Sequence, residues 1–274
     1  PFAGEPWDIL AKRAPVKSAV AFGSVLTLPA TGSEMNCGAV ISREHGKYPM
    51  LSPLVFPKFS VLDPTATFSL PTVQVANGVV DAFVHTTEQY LTFPVDARIQ
   101  DRMAEGILQT LIEVGPKTLE HPTDYDARAN LMWCATNGLN GLIGAGVPQD
   151  WSTHMIGHEL TALHNIDHAR TLAIVLPALL NERRGPKGAK LLQYGERVWG
   201  ITTGSEDERI TAAIERTRDF FESMGIRTRL SGYGLGAEVI EKVIAQLEAH
   251  GMVKLGEQRE ITPAVSRRIL EAAL

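Results

Sequence analysis

The segment Asn77-Gly78-Val79-Val80-Asp81-Ala82-Phe83-Val84-His85 constrains the fold of this chain more than any other. It lies in a stretch, residues 73–92, with the length of a helix, and Val79, Val80, Ala82, Phe83 and Val84 make it apolar on most of its circumference. Such a helix belongs inside a domain. Asp81 and His85 are four apart, so a helix presents both on one face. A carboxylate taken out of water is costly unless something pairs with it. Two arrangements meet that demand: a hydrogen bond between the two side chains on a partly wet face, or a cation facing both.

The helix stands at a change of regime. From Pro15 to about Pro71, short β-type runs are punctuated by Gly and Pro: Ser18 to Phe22, Gly38 to Ser42, and Phe59 to Leu62. A short helix is expected near Thr31-Gly32-Ser33-Glu34, where Ser and Glu suit an N-terminus. Beyond Pro71 the pattern predicts helices over 73–92, 97–119, 124–142, 151–164, 168–182, 187–200, 205–223, 236–249 and 262–273. Ser205 with Glu208 forms a capping box, and Thr262-Pro263 sets a capping hydroxyl before a first-turn proline. The expectation is a mainly α chain, with a short β-containing part over 1–71 and an all-helical domain over 72–274.

Composition excludes several classes of function. Hydrophobic residues at 44% and charged residues at 21% fit an ordinary globular protein, and a net charge of −5 leaves no broad basic surface for nucleic acid. The longest strongly apolar stretch, Thr171 to Leu180, contains Pro177 and is too short to span a bilayer. Partners among nucleic acids and membranes are therefore not expected. Cys37 and Cys134 lie far apart with no CxxC spacing, which points to a reducing, cytoplasmic home. Pro1-Phe2-Ala3-Gly4 has neither an initiator methionine nor the features of a signal peptide, and reads as the interior of a longer protein cut in a loop.

A second cluster carries the chemistry. His154, His158, His164 and His168 fall within fifteen positions, half of the 8 histidines in the chain. Neutral imidazole is a common ligand of zinc and iron-group cations. Protease spacings fail: His158-Glu159 is followed by Ala162 where a zincin needs His, and Gly157 stands where the inverted motif ending at His158 needs Glu. Spacing alone pairs His154 with His158, one helical turn apart.

An Asp-x-x-x-His helix at Asp81/His85, followed about seventy residues later by His154 and His168 with His158 between them, resembles the iron-containing (type III) alcohol dehydrogenase family. Thr27-Leu28-Pro29-Ala30-Thr31-Gly32-Ser33-Glu34, Leu70-Pro71 and Gly157-His158-Glu159-Leu160-Thr161 carry the same resemblance, closest to its aldehyde reductase and butanol dehydrogenase branch. It implies a dehydroquinate synthase-like fold, with 1–71 the remnant of an α/β cofactor-binding domain and 72–274 the helical metal-binding catalytic domain. The implied ligands of one divalent metal, Fe2+ or Zn2+, are Asp81, His85, His154 and His168, which overrules the pairing by spacing. His158 is the implied catalytic residue, facing the reacting carbonyl or nicotinamide, and His164 is left as a packing or surface residue. The implied reaction moves hydride between NADP(H) or NAD(H) and an aldehyde or primary alcohol, in a monomer or a homo-oligomer.

Thr27, Thr31, Asn36, Lys47, Thr67 and Leu70 are expected at the nicotinamide end of the cofactor site. The family's Gly-Gly-Gly-Ser phosphate-binding turn does not occur in this sequence, so weak dinucleotide binding is expected of it. Gly232-Tyr233-Gly234-Leu235-Gly236-Ala237 imitates a dinucleotide fingerprint but follows Ile226-Arg227-Thr228-Arg229-Leu230, which is no hydrophobic strand, and is expected to be a loop between helices. Two other readings accommodate the same histidines: a hydrolase using metal-bound hydroxide, and a metal-stabilised helical fragment without turnover.

Overall fold

The computed structural model describes residues 4–11, 14–43 and 46–274. The first part holds a one-turn helix α1 (Asp8–Ala11) and four short strands, β1 (Ser24–Val25), β2 (Gly38–Arg43), β3 (Gly46–Leu51) and β4 (Ser60–Val61). Strands β2 and β3 form an antiparallel pair running from Gly38 opposite Leu51 to Arg43 opposite Gly46. Strands β1 and β4 pair in parallel, Ser24 opposite Ser60 and Val25 opposite Val61.

The rest is helical: α2 (Thr72–Tyr90), α3 (Arg98–Glu120), α4 (Tyr125–Leu139), α5 (Ser152–His164), α6 (His168–Glu182), α7 (Gly188–Trp199), α8 (Glu206–Ser223), α9 (Glu238–Ala249) and α10 (Pro263–Ala272). Every residue of α2 from Val75 to Tyr90 is buried, because α3, α4 and α6 close around it. This is the all-round burial expected of an apolar helix. The apolar stretch from Thr171 to Leu180 lies in α6 and is likewise buried throughout. Among the described residues no helix is long and apolar enough to cross a membrane. The Ser205–Glu208 capping box starts α8 as expected, and Asp124 starts α4 by accepting from the Ala127 N–H at 3.0 Å.

Four local expectations are corrected. Residues 31–34 turn rather than form a helix: the Met35 N–H reaches the Gly32 carbonyl at 2.9 Å, and Glu34 is buried with its carboxylate on the Thr136 hydroxyl of α4. Tertiary pairing claimed the side chain that a helix start would have used. The run from Ser18 to Phe22 is no strand; pairing begins only where the Phe22 carbonyl accepts from the Lys58 N–H at 2.8 Å. Helix α4 stops at Leu139, since Asn140 Oδ1 accepts from the Leu142 N–H at 3.0 Å and Gly141 has φ +92°. Thr262 does precede α10, but its hydroxyl makes no capping bond. Gly232 to Ala237 holds the end of a 3-10 turn, Leu230–Tyr233, and a loop, with no strand before it.

Candidate metal centre

One stripe of α2 carries Asp81, His85 and Glu88, spaced i, i+4 and i+7, so all three look the same way. Helix α5 carries His154 and His158 on successive turns, and α6 opens at His168. The turn between α5 and α6 is tight, with Asn165 in the left-handed region at φ 53°. Two glycines bring the pieces close. At Gly157 an added Cβ would stand 3.0 Å from Thr171 Oγ1 and 3.1 Å from Leu172 Cδ2, so the absence of a side chain lets α5 lie against α6. At Gly78 a Cβ would clash with the Pro29 carbonyl oxygen, so the loop through Leu28 and Pro29 crosses directly on α2 one turn from Asp81. Asn77 donates to Asp167 Oδ2 at 3.0 Å and ties α2 to the start of α6.

The side chains converge accordingly. One ligand atom from each of Asp81, His154 and His168 lies within 4.8 Å of the others. His168 Nε2 is 3.7 Å from Asp81 Oδ1, and His85 Nδ1 is 3.7 Å from Asp81 Oδ2. The His85 ring stacks on that of His154 with centroids 4.6 Å apart, one step outside the trio. His158 stands with its ring 4.9 Å from His168 and 6.1 Å from His154. Trp151 closes one side, 5.2 Å from the His154 ring.

These groups fit a cation. Asp81 Oδ1, His85 Nδ1, His154 Nε2 and His168 Nδ1 are all buried without a hydrogen-bond partner. Each orphaned polar atom costs free energy unless a ligand satisfies it; on His168 the unpartnered nitrogen is Nδ1, while Nε2 is the one 3.7 Å from Asp81. Burial also sets the charge states. It raises Asp81 above the usual carboxylate range, and it lowers His154 and His168 well below the usual imidazole range, helped by neighbouring imidazoles. His158 is pushed down to about 3, first by burial and then by Lys47 and His85. One carboxylate with neutral imidazoles is the donor set of a transition-metal site.

Behind the cluster sits a polar network. Glu88 Oε2 contacts His154 Nδ1, and Glu88 Oε1 accepts from the Thr153 N–H at 2.6 Å. Asp150 takes the preceding N–H, that of Ser152 at the start of α5, at 2.9 Å, and pairs with buried Lys187 at 2.8 Å. Burial, then the nearby Asp150 carboxylate, raises Glu88. Glu88 is not among the residues expected from the sequence; its i+7 spacing from Asp81 places it on the same face, but the contact with His154 depends on how α5 begins.

The residues expected at the cofactor end are dispersed around this centre. Lys47, on β3, packs beside α5; burial lowers it while Asp81 partly offsets that, so the two charges feel each other. Thr27 and Thr31 are exposed on the loop that crosses α2. Asn36 is occupied with the backbone: its amide donates to Thr31 O at 2.9 Å and Leu139 O at 3.2 Å, and its oxygen accepts from the Gly38 N–H at 3.1 Å. Thr67 is fully buried, its hydroxyl on the Pro64 carbonyl at 2.7 Å and its own carbonyl on Arg128 at 3.1 Å. Leu70 packs half-buried against the core.

Comparison with known proteins decides the family. Residues 75–274 match the description Fe-containing alcohol dehydrogenase family, C-terminal, and residues 2–64 match iron-containing alcohol dehydrogenase. The chain belongs to the iron-containing alcohol dehydrogenase family. It is 65% identical to the NADPH-dependent aldehyde reductase YqhD of Escherichia coli over 98% of its length and 70% of that protein's. A probable NADH-dependent butanol dehydrogenase of Bacillus subtilis is 37% identical over 100% of this chain and 71% of its own. The crystal structure of E. coli YqhD superposes with a TM-score of 0.98 at 64% identity, covering 100% of this chain and 71% of that one. The structure of an NADH-dependent butanol dehydrogenase A from Thermotoga maritima gives 0.94 at 32% identity, covering 99% and 70%. The mainly helical architecture with its small strands is thus that of iron-containing alcohol dehydrogenases.

Proposed function

We propose that this iron-containing alcohol dehydrogenase reduces aldehydes to primary alcohols, and runs the reverse, at one divalent cation held by Asp81, His85, His154 and His168. The observation that carries the reading is the buried convergence of Asp81, His154 and His168, with His85 against them, all with unpartnered atoms. When bound, the cation polarises a carbonyl as a Lewis acid and the nicotinamide supplies hydride. Iron is the metal in the family's description, with zinc the alternative for the same donors. NADPH is the cofactor named for the relative that is 65% identical.

The side chains divide the work. Asp81 leaves a divalent ion with net positive charge, and neutral imidazoles bind it without competing protons. Burial of the cluster excludes water from the reacting carbonyl. His158, kept neutral by that burial, orients the substrate oxygen through a ring nitrogen. Of the six residues expected at the nicotinamide end, Thr27, Thr31, Lys47 and Leu70 line it in this reading, while Thr67 is fully buried and Asn36 shapes the loop through its backbone contacts. Lys47 is the best supported of them, since it is in electrostatic reach of Asp81. The division at residues 71 and 72, between a cofactor-binding part and a metal-binding part, follows the change from strands to buried helix. A cytoplasmic setting agrees with two free cysteines.

The test is elemental analysis together with NADPH oxidation driven by a short-chain aldehyde. One iron or zinc per chain is expected, lost in His154→Ala, with turnover tracking metal content. Full turnover in metal-free His154→Ala protein, or no metal in the wild type, would overturn the proposal.

A further inference from the structure

The start of α5 is unusual in what holds it. Its N-cap residue, Trp151, sits in the left-handed region at φ 65° and offers no side-chain cap. The first N–H groups go instead to two carboxylates: Ser152 N–H to Asp150, and Thr153 N–H to Glu88 at 2.6 Å. Glu88 is 3% exposed and spends its second oxygen on His154 Nδ1. The opposite nitrogen of that ring, Nε2, is buried and unpartnered, and the ring offers one of its nitrogens within 4.8 Å of ligand atoms of Asp81 and His168.

These contacts impose a tautomer. An imidazole that offers Nε2 to a metal must carry its proton on Nδ1, so the group facing Nδ1 has to accept. Thr153 N–H also needs an acceptor, and the two oxygens of the Glu88 carboxyl group face these two partners, one each, which a carboxamide with its single oxygen cannot do. We infer that Glu88 is the positioning residue of the metal centre, a carboxylate that fixes His154 with Nε2 toward the cation while anchoring the helix that carries His154 and His158. The inference rests on the ligand set proposed above. One stripe of α2 then supplies two ligands, Asp81 and His85, and the group that aims a third.

The substitution that isolates this role is Glu88→Gln, which keeps size and shape but has only one acceptor. If its oxygen serves Thr153, its NH2 faces Nδ1 and turns the ring to the Nε2–H tautomer, which cannot ligate. If it serves His154, the α5 N–H loses its partner. Zinc titration of the full chain by calorimetry is expected to show binding roughly ten- to a hundredfold weaker than wild type, the usual effect of removing a partner of a metal-bound histidine. Asp150→Asn is the comparison, since Asp150 holds the same helix end without touching His154; its zinc affinity should stay close to wild type. Equal losses in the two variants would assign Glu88 to anchoring α5 alone and overturn the inference. So would wild-type affinity in Glu88→Gln. Absence of zinc binding in the wild type would instead remove the ligand reading on which this rests. Should Glu88→Gln fail to fold, nitrogen NMR of the zinc-loaded wild type decides: a His154 proton on Nδ1, shifted far downfield, supports the assignment, and ligation through Nδ1 refutes it.

Discussion

Lys187 is a buried cation whose removal should cost more than any surface pair in the molecule. Its ammonium lies 2.8 Å from Asp150, 2.9 Å and 3.1 Å from the two oxygens of Glu257, and 2.6 Å from the Leu91 carbonyl. Side-chain exposure is 3% for Lys187, 3% for Asp150 and 6% for Glu257, so solvent screens little of this. Lys187→Met keeps the aliphatic stem, which makes the cavity term small, and deletes only the charge. Two carboxylates and a carbonyl then lose their partner. Breaking one buried pair costs about 3–5 kcal/mol, and with three groups stranded the upper half of that range is expected, about 4–5 kcal/mol. For a chain of this size that is a fall in Tm of roughly 7–10 °C. Urea and thermal denaturation read the loss directly. Adding Glu257→Gln should return part of it, because one stranded charge is removed, and the two changes should couple by at least about 0.5 kcal/mol. A loss below about 1 kcal/mol, the range of an exposed ion pair, would refute the reasoning.

Stripping the metal with a chelator should lower Tm, by an amount equivalent to about 2.7 kcal/mol if free metal had stood at a hundred times Kd; scanning calorimetry with and without chelator checks this. Gly78→Ala should cost about 1–3 kcal/mol by overpacking against the Pro29 carbonyl, measured by urea denaturation, and a neutral outcome would mean that the crossing loop yields freely. His158→Ala should keep metal content near wild type and cut turnover by roughly 10²–10⁴. A comparable loss of metal would instead make His158 a ligand.

The helices were readable because each is long enough for its apolar spacing to repeat. The nine helices expected beyond Pro71 correspond to α2 through α10, with ends shifted by a residue or two in most cases. The strand region was harder. β1 and β4 are two residues each, too short for alternation to speak, and β3 includes Pro49. The turn at 31–34 departs from the local pattern for a related reason. Ser33 and Glu34 carry the local chemistry of a helix start, but Glu34 is spent on Thr136, about a hundred residues away. No local rule reports a partner at that distance.

The centre shows the same boundary between local and distant information. Asp81 and His85 announce themselves because a carboxylate in an apolar helix demands a partner. The choice between His158 and His168 as the companion of His154 cannot be made from helical spacing, which favours the residue one turn away. It depends on the turn at Asn165 and on Gly157, which fold α6 back against α5 and bring a donor atom of His168 within 4.8 Å of donor atoms of both His154 and Asp81. Glu88 is invisible for the opposite reason: its spacing from Asp81 is plain, but its partner's position depends on how α5 begins. That beginning lacks a capping side chain of its own, so the protein uses carboxylates from α2 and from the residue before Trp151 to supply one. A helix end left unsatisfied by its own sequence is thus the local trace of the distant contact that aims His154.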